Sequence, residues 1–145
     1  MHKIAVMTVG AAALGLTAPA SLAATHTTTT GHTQTLVTTK RVTGPPEAAG
    51  PWGNIVVTLL VKKTTTITGK RRTVTRTITN ASVPIYPNHT ARSVYINSVA
   101  LPLLTQETLK AHFNLSKIYL ISGASLTSVA FGQSLQAALL AAAKV

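Results

Sequence analysis

The run Trp52-Gly53-Asn54-Ile55-Val56-Val57-Thr58-Leu59-Leu60-Val61 decides how this chain folds. Its residues are largely apolar and β-branched, which suits a pleated surface packed against other elements better than a helix. It predicts a central strand. Lys62 to Thr68 either continues that strand or begins a bent partner, and Gly69-Lys70 marks a turn. Arg71 to Thr79 then alternates basic or Thr residues with Val74 and Ile78, the pattern of a half-buried strand with a cationic outer face. Upstream, Leu36 to Thr43 reads as a first strand broken by Gly44-Pro45-Pro46, with Glu47 to Pro51 as a loop. Downstream, Asn80 to Asn88, containing Pro84 and Pro87, reads as another loop.

From Thr90 the period changes from two to that of a helix. Thr90 is a helix cap, with Val94, Ser98 and Leu101 expected on one face. Pro102 stops or restarts the helix, which ends near His112. Leu115 to Ile121 is a short apolar strand or connector. Thr127 is expected to cap a last helix that turns Val129, Leu135, Leu139 and Ala142 or Ala143 to the core. Strands first and helices second describe an α+β chain: a single small domain whose antiparallel sheet packs against C-terminal helices.

The composition narrows the chemistry. The 145 residues suit one domain. Met1-His2-Lys3, the apolar run Ile4 to Leu16 and the small residues Ser21 and Ala23 form a secretory signal peptide over residues 1–23. The expected product is secreted, extracytoplasmic and soluble after cleavage following Ala23, or else Ala24. Residues 24–35, Thr-rich and without apolar periodicity, read as a disordered spacer ahead of a domain over 36–145. A mature terminus Ala24-Thr25-His26 would offer His26 to copper(II) or nickel(II), a weak signal against the chance placing of one histidine in a polar tail. No cysteine exists, so disulfides and thiolate sites are excluded. The acids are Glu47 and Glu107 alone, which leaves neither a carboxylate pair nor the Asp of a Ser-His-Asp triad. A chain so poor in reactive side chains would have to borrow its chemistry from a cofactor.

Thirteen Lys and Arg against two acids give a net charge of +11, concentrated at Lys62-Lys63 and Lys70-Arg71-Arg72 with Arg76. The charge reads either as a patch for an anionic envelope polymer or as a solvated hairpin that resists edge pairing. No aromatic residue interleaves the basic runs, so no specific nucleic-acid partner is expected.

The segment Ser122-Gly123-Ala124-Ser125-Leu126-Thr127-Ser128 stands directly ahead of the last helical run. Small residues let a backbone approach a ligand closely, and unpaired amides at a helix start attract anions, a phosphate above all. The plain alternative is a turn followed by a Ser or Thr cap. Around it stand Tyr86-Pro87-Asn88-His89-Thr90-Ala91-Arg92-Ser93, Ile96-Asn97, Ala100-Leu101-Pro102-Leu103-Leu104, Gln106-Glu107-Thr108-Leu109 and Gln133-Ser134-Leu135-Gln136-Ala137-Ala138-Leu139. In order and spacing this set resembles the small extracytoplasmic FMN-binding domain family, which includes the periplasmic flavin-bearing subunits of sodium-pumping quinone reductases. The resemblance covers about two thirds of the chain, most strongly from Tyr86 to Leu139. Its hallmark, D-x-x-S-G-A-T, is met by Ser122, Gly123, Ala124 and Ser125, with Tyr119 where the family has Asp.

The resemblance implies an electron-transfer flavoprotein rather than a substrate-turning enzyme, relaying electrons between extracytoplasmic redox partners. Arg92, Ser93, Leu101, Pro102, Ser122, Gly123, Ala124, Ser125, Thr127 and Ser128 would form the FMN site. Ser125 and Thr127 would hold the phosphate, and Leu101 and Pro102 would cover the ring. Arg92 is a second phosphate or ribityl contact, or else a surface cap; Tyr119 is a ring partner, or else core. A flavin transferase would attach FMN at Ser125 in a covalent member, but the missing Asp makes non-covalent FMN the expectation. The alternative from a different class is a flavin-free cationic cell-envelope protein that binds a polyanion on the same fold.

Overall fold

The computed structural model describes residues 24–145, so the signal peptide expected over residues 1–23 lies outside it. The fold is α+β: an antiparallel sheet of five strands and two long helices. In chain order the elements are β1 (Ala24–Thr30), β2 (Thr33–Thr43), β3 (Glu47–Ala48), β4 (Asn54–Thr68), β5 (Arg71–Ile85), α1 (Ala91–Ala111) and α2 (Ser125–Ala142). Short 3-10 turns lie at Gly50–Trp52 and Leu115–Lys117.

The apolar run does form the central strand. β4 pairs with β2 and with β5, β1 adds beyond β2, and β3 joins the start of β4 through Glu47 opposite Ile55. Two register shifts in the β4–β5 ladder, between Val56 and Thr58 and between Leu60 and Val61, mark bulges that bend β5. Alternate residues of β4 point to one face. Ile55, Val57, Leu59 and Val61 enter the core with Ile78 and Ala81 of β5, Leu101 and Leu104 of α1, and Phe131, Leu135 and Leu139 of α2. Helix α2 lies over β4 and α1 over β5.

Ser134 ties α2 to the sheet. Its buried hydroxyl accepts from the Val57 N–H (2.9 Å) and donates to the Pro45 carbonyl (2.8 Å). A Cβ on Gly44 would fall on the Ser134 carbonyl, so only glycine lets the chain pass this close to the helix.

Several sequence expectations are corrected. Residues 24–35 are not a spacer: they form β1 and the start of β2, because Thr is β-branched and pairs well across strands even without apolar alternation. The loop expected over Asn80 to Asn88 begins only after Ile85; Pro84 is tolerated in β5 because that strand is paired on β4 alone and needs no second ladder bond there. Trp52 lies in a 3-10 turn, not in the strand, and Glu47–Ala48 pairs instead of looping. Pro102 neither stops nor restarts α1, which runs through it; both Pro102 and Ser98, whose carbonyl it deprives of a helical donor, lie on the exposed side of the helix. Val129 is exposed instead of facing the core, whereas Leu135, Leu139 and Ala142 are buried as expected; Val94, Ser98 and Leu101 do share one side of α1, with Leu101 the buried one of the three. Leu115 to Ile121 is a 3-10 turn and irregular chain, not a strand. No helix among the described residues is long and apolar enough to cross a membrane.

Candidate functional site

The first turns of both helices open onto one cavity of about 340 Å³, within the range of roughly 300–1,000 Å³ typical of small-molecule sites. α1 contributes Arg92, Ser93, Ile96 and Asn97, and α2 with its approach contributes Gly123 through Thr127. Ala49, Trp52 and Pro87 complete the wall. No carboxylate is among these residues, and Arg92 brings the one full charge.

The two helix starts differ. At α1 the Thr90 side chain accepts from the Ser93 N–H (3.1 Å), the cap read from the sequence. At α2 the cap position is Ala124, which has no side chain able to accept, so Thr127 is not the expected cap. The first intrahelical bond runs from the Ser128 N–H to the Ala124 carbonyl (2.9 Å). The amides of Ser125, Leu126 and Thr127 precede it, without intrahelical partners, at the positive end of an 18-residue helix. Gly123 has φ +79°, a left-handed conformation that a side chain would strain, and this turn sets α2 against the cavity.

A buried chain of hydrogen bonds fixes the wall. Thr127 Oγ1 donates to Asn97 Oδ1 (2.9 Å), and Asn97 Nδ2 donates to the Pro87 carbonyl (2.7 Å). Three separate segments, the β5–α1 loop, α1 and α2, are thereby locked together. This corrects one role: the Thr127 proton is committed to Asn97, so its hydroxyl is no donor to a phosphate. Thr90 donates to Ser93 Oγ (2.8 Å), a bond that leaves the proton of Ser93 itself uncommitted. Ser93 is buried, and Ser125 stands exposed at the rim.

Of the ten sequence-predicted site residues, Arg92, Ser93, Gly123, Ala124, Ser125 and Thr127 line this cavity. Ser128 is buried beneath it, accepting from the Ile121 N–H (3.0 Å) and donating to the Ala124 carbonyl, so it shapes the turn. Ser122 is exposed and does not line the wall. Leu101 and Pro102 belong to a different recess, with Tyr86, Val94 and Thr105, that shares only Asn97 with the first. They are therefore not placed to cover a ligand in the cavity. Tyr119 is neither core nor cavity wall: it is 69% exposed, and its N–H donates to Glu107 Oε2 (3.1 Å). His26 sits exposed in β1 opposite Val37.

Trp52 and Asn97 escaped the reading of site residues. Trp52 reads as the first residue of a strand, whereas its neighbours Gly50, Pro51 and Gly53 signal the turn that presents it. Asn97 stood in the motif order but had no evident ligand role. No family model, no curated protein and no solved structure matches this chain.

Proposed function

We propose that this protein is an exported flavoprotein that holds FMN non-covalently in the cavity between the two helix starts and relays electrons between extracytoplasmic redox partners. The observation that carries the reading is the meeting, in one carboxylate-free cavity, of Arg92, the buried Ser93 and the uncapped first turn of α2 beside the only tryptophan. Such a donor set suits a dianionic phosphate: main-chain amides at a helix start, a guanidinium and hydroxyls. Trp52, 43% exposed, gives an indole face against which a planar ring can stack.

FMN, when bound, supplies the electron-accepting ring that the side chains of this chain lack. The chain's own part is binding and orientation. The amides of Ser125 to Thr127, Arg92 and the hydroxyls of Ser93 and Ser125 would hold the phosphate. The Thr127–Asn97–Pro87 bonds keep those groups in place before a ligand arrives. Ser125 at the rim is where covalent attachment by a flavin transferase would fall; Tyr119, in the place of the family's Asp, gives no carboxylate to assist it.

The fluorescence of the single tryptophan provides the test. Titration of the purified protein with FMN should quench it and yield a yellow complex, whereas riboflavin, which lacks the phosphate, should bind at least tenfold more weakly. Denaturation should release the flavin. A protein that stays colourless with FMN, with unchanged fluorescence, would overturn the reading.

A further inference from the structure

We propose that the far half of the sheet is a docking surface for a flexible linear polymer carrying phosphate groups, a function separate from the cavity. The hydrophobic core ends at Val61 and Ile78. Past them the strands continue as a four-stranded blade in which Thr65 is the one buried residue. The β4–β5 hairpin puts Lys62, Lys63, Lys70, Arg71, Arg72 and Arg76 on this blade, and Lys40 and Arg41 of β2, opposite Val61 and Leu60, stand at its root. They make up eight of the twelve Lys and Arg among residues 24–145, yet β1, β2, β4 and β5 carry no Asp or Glu.

The register shows how these charges are arranged. Lys63 stands directly opposite Arg76, a cross-strand pairing of like charges that costs stability unless an anion bridges it. Arg76 Nε donates to an oxygen of Val145, the last residue of the sequence (3.0 Å). Alternation along the strands turns Lys63, Arg72 and Arg76 to the same side as Val61 and Ile78, and Arg41, Lys62 and Arg71 to the other. Lys70 lies at the tip. Between the cations of that other face runs an unbroken row of threonines, Thr28, Thr35, Thr66 and Thr73, one from each strand. Their hydroxyls can donate to anionic oxygens.

Cations on both faces and at the tip choose the occupant. A flat anionic membrane can meet one face at a time, but a flexible chain can cross the tip and touch both. The blade has no Phe, Tyr or Trp in its strands on which bases could stack, which disfavours single-stranded nucleic acid. Arg and Thr groups suit phosphate oxygens along a linear polymer.

The test compares two variants of equal net charge. Lys62→Gln/Lys63→Gln/Arg72→Gln removes three blade cations; Lys110→Glu/Lys117→Gln lowers the net charge by the same amount elsewhere. Binding to poly(glycerol phosphate) is measured from about 50 to 200 mM salt, the span over which counterion release is readily seen. The blade variant should lose at least tenfold in affinity at low salt, and its log–log salt slope should shrink by about two, as expected when three phosphate contacts are lost. The control variant should stay within twofold of wild type. The charge-preserving Lys62→Arg/Lys63→Arg/Arg72→Lys should bind as wild type, which separates charge from any fault in folding. Equal losses in the blade and control variants would overturn the proposal, since net charge alone would then suffice. So would tighter binding to phosphatidylglycerol vesicles or to a single-stranded oligonucleotide than to the polymer.

Discussion

The two halves of β4 follow opposite rules within one continuous strand. Ile55 to Val61 is built of branched apolar residues, nearly all buried, under α2. Lys62 to Thr68 keeps the same hydrogen-bonded ladders on both sides, yet only Thr65 is buried. Backbone pairing is therefore enough to prolong a sheet well past its core, provided the side chains favour extended backbone; Thr does so through its branched Cβ. What pairing alone does not supply is rigidity of position. The cavity is formed where the strand is anchored, at the end held by Phe131, Leu135 and Ser134, and the charges sit where it is not.

That contrast breaks most sharply at Leu59, which is fully buried at the centre of the anchored half. Leu59→Ala should lower unfolding free energy by about 2–5 kcal/mol, from lost transfer and an unfilled cavity. Urea titration followed by far-UV circular dichroism measures it, and a loss under 1 kcal/mol would mean that the core is not the anchor described here.

Arg92→Gln tests the same half without touching the core. The substitution removes the one full charge of the cavity wall while the Thr90 cap and the Thr127–Asn97 bond remain. Affinity for FMN should fall about tenfold or more, in keeping with the strength of charged hydrogen bonds, while riboflavin binding should scarcely change. Equal losses for both ligands would remove Arg92 from the phosphate subsite.

Ser134→Ala comes next in size. Both partners of its hydroxyl, the Val57 N–H and the Pro45 carbonyl, would be left without it in a tightly packed place. About 1–3 kcal/mol should be lost, with the loop from Gly44 to Trp52 loosened against α2. Hydrogen exchange at the Val57 amide reports it directly; unchanged protection there would show that the hydroxyl is not what holds the strand to the helix.

The anchored half was also the more legible one. Apolar run, turn at Gly69-Lys70, cap at Thr90 and helix through Leu135 and Leu139 each carry a local signal that tertiary contacts reinforce. The blade was legible only in part. Arg71 to Thr79 reads as a strand because Val74 and Ile78 alternate, but Ala24 to Thr30 has no apolar residue to set a period, and its strand exists because β2 offers it a partner. The cavity divides in the same way. Arg92, Ser93 and Gly123 to Ser125 meet because each lies in the first turn of a helix or just before one, which the sequence marks. Trp52 joins them through a chain reversal, and Leu101 and Pro102 are carried away by the helical repeat that turns them toward β5, neither of which local spacing reveals.

The smallest effect is the most exacting test of the difference between the halves. Thr66 lies in the middle of the blade, paired with Thr35 on one side and Thr73 on the other, and its side chain points away from the helix side. If the blade is held by its ladders and by the extended preference of its residues, Thr66→Ala removes only one branched Cβ and a solvated hydroxyl. Unfolding free energy should then change by no more than about 0.5 kcal/mol, the usual range for a surface position. Thr66→Gly removes the stiffness as well and should cost more, by roughly 0.5–1 kcal/mol relative to Ala. The gap between the two variants, read from the same urea titrations, isolates backbone preference from side-chain contact. If Ala already costs as much as Gly, the threonine rows are packed contacts in their own right, and the two halves of β4 differ less than their exposure implies.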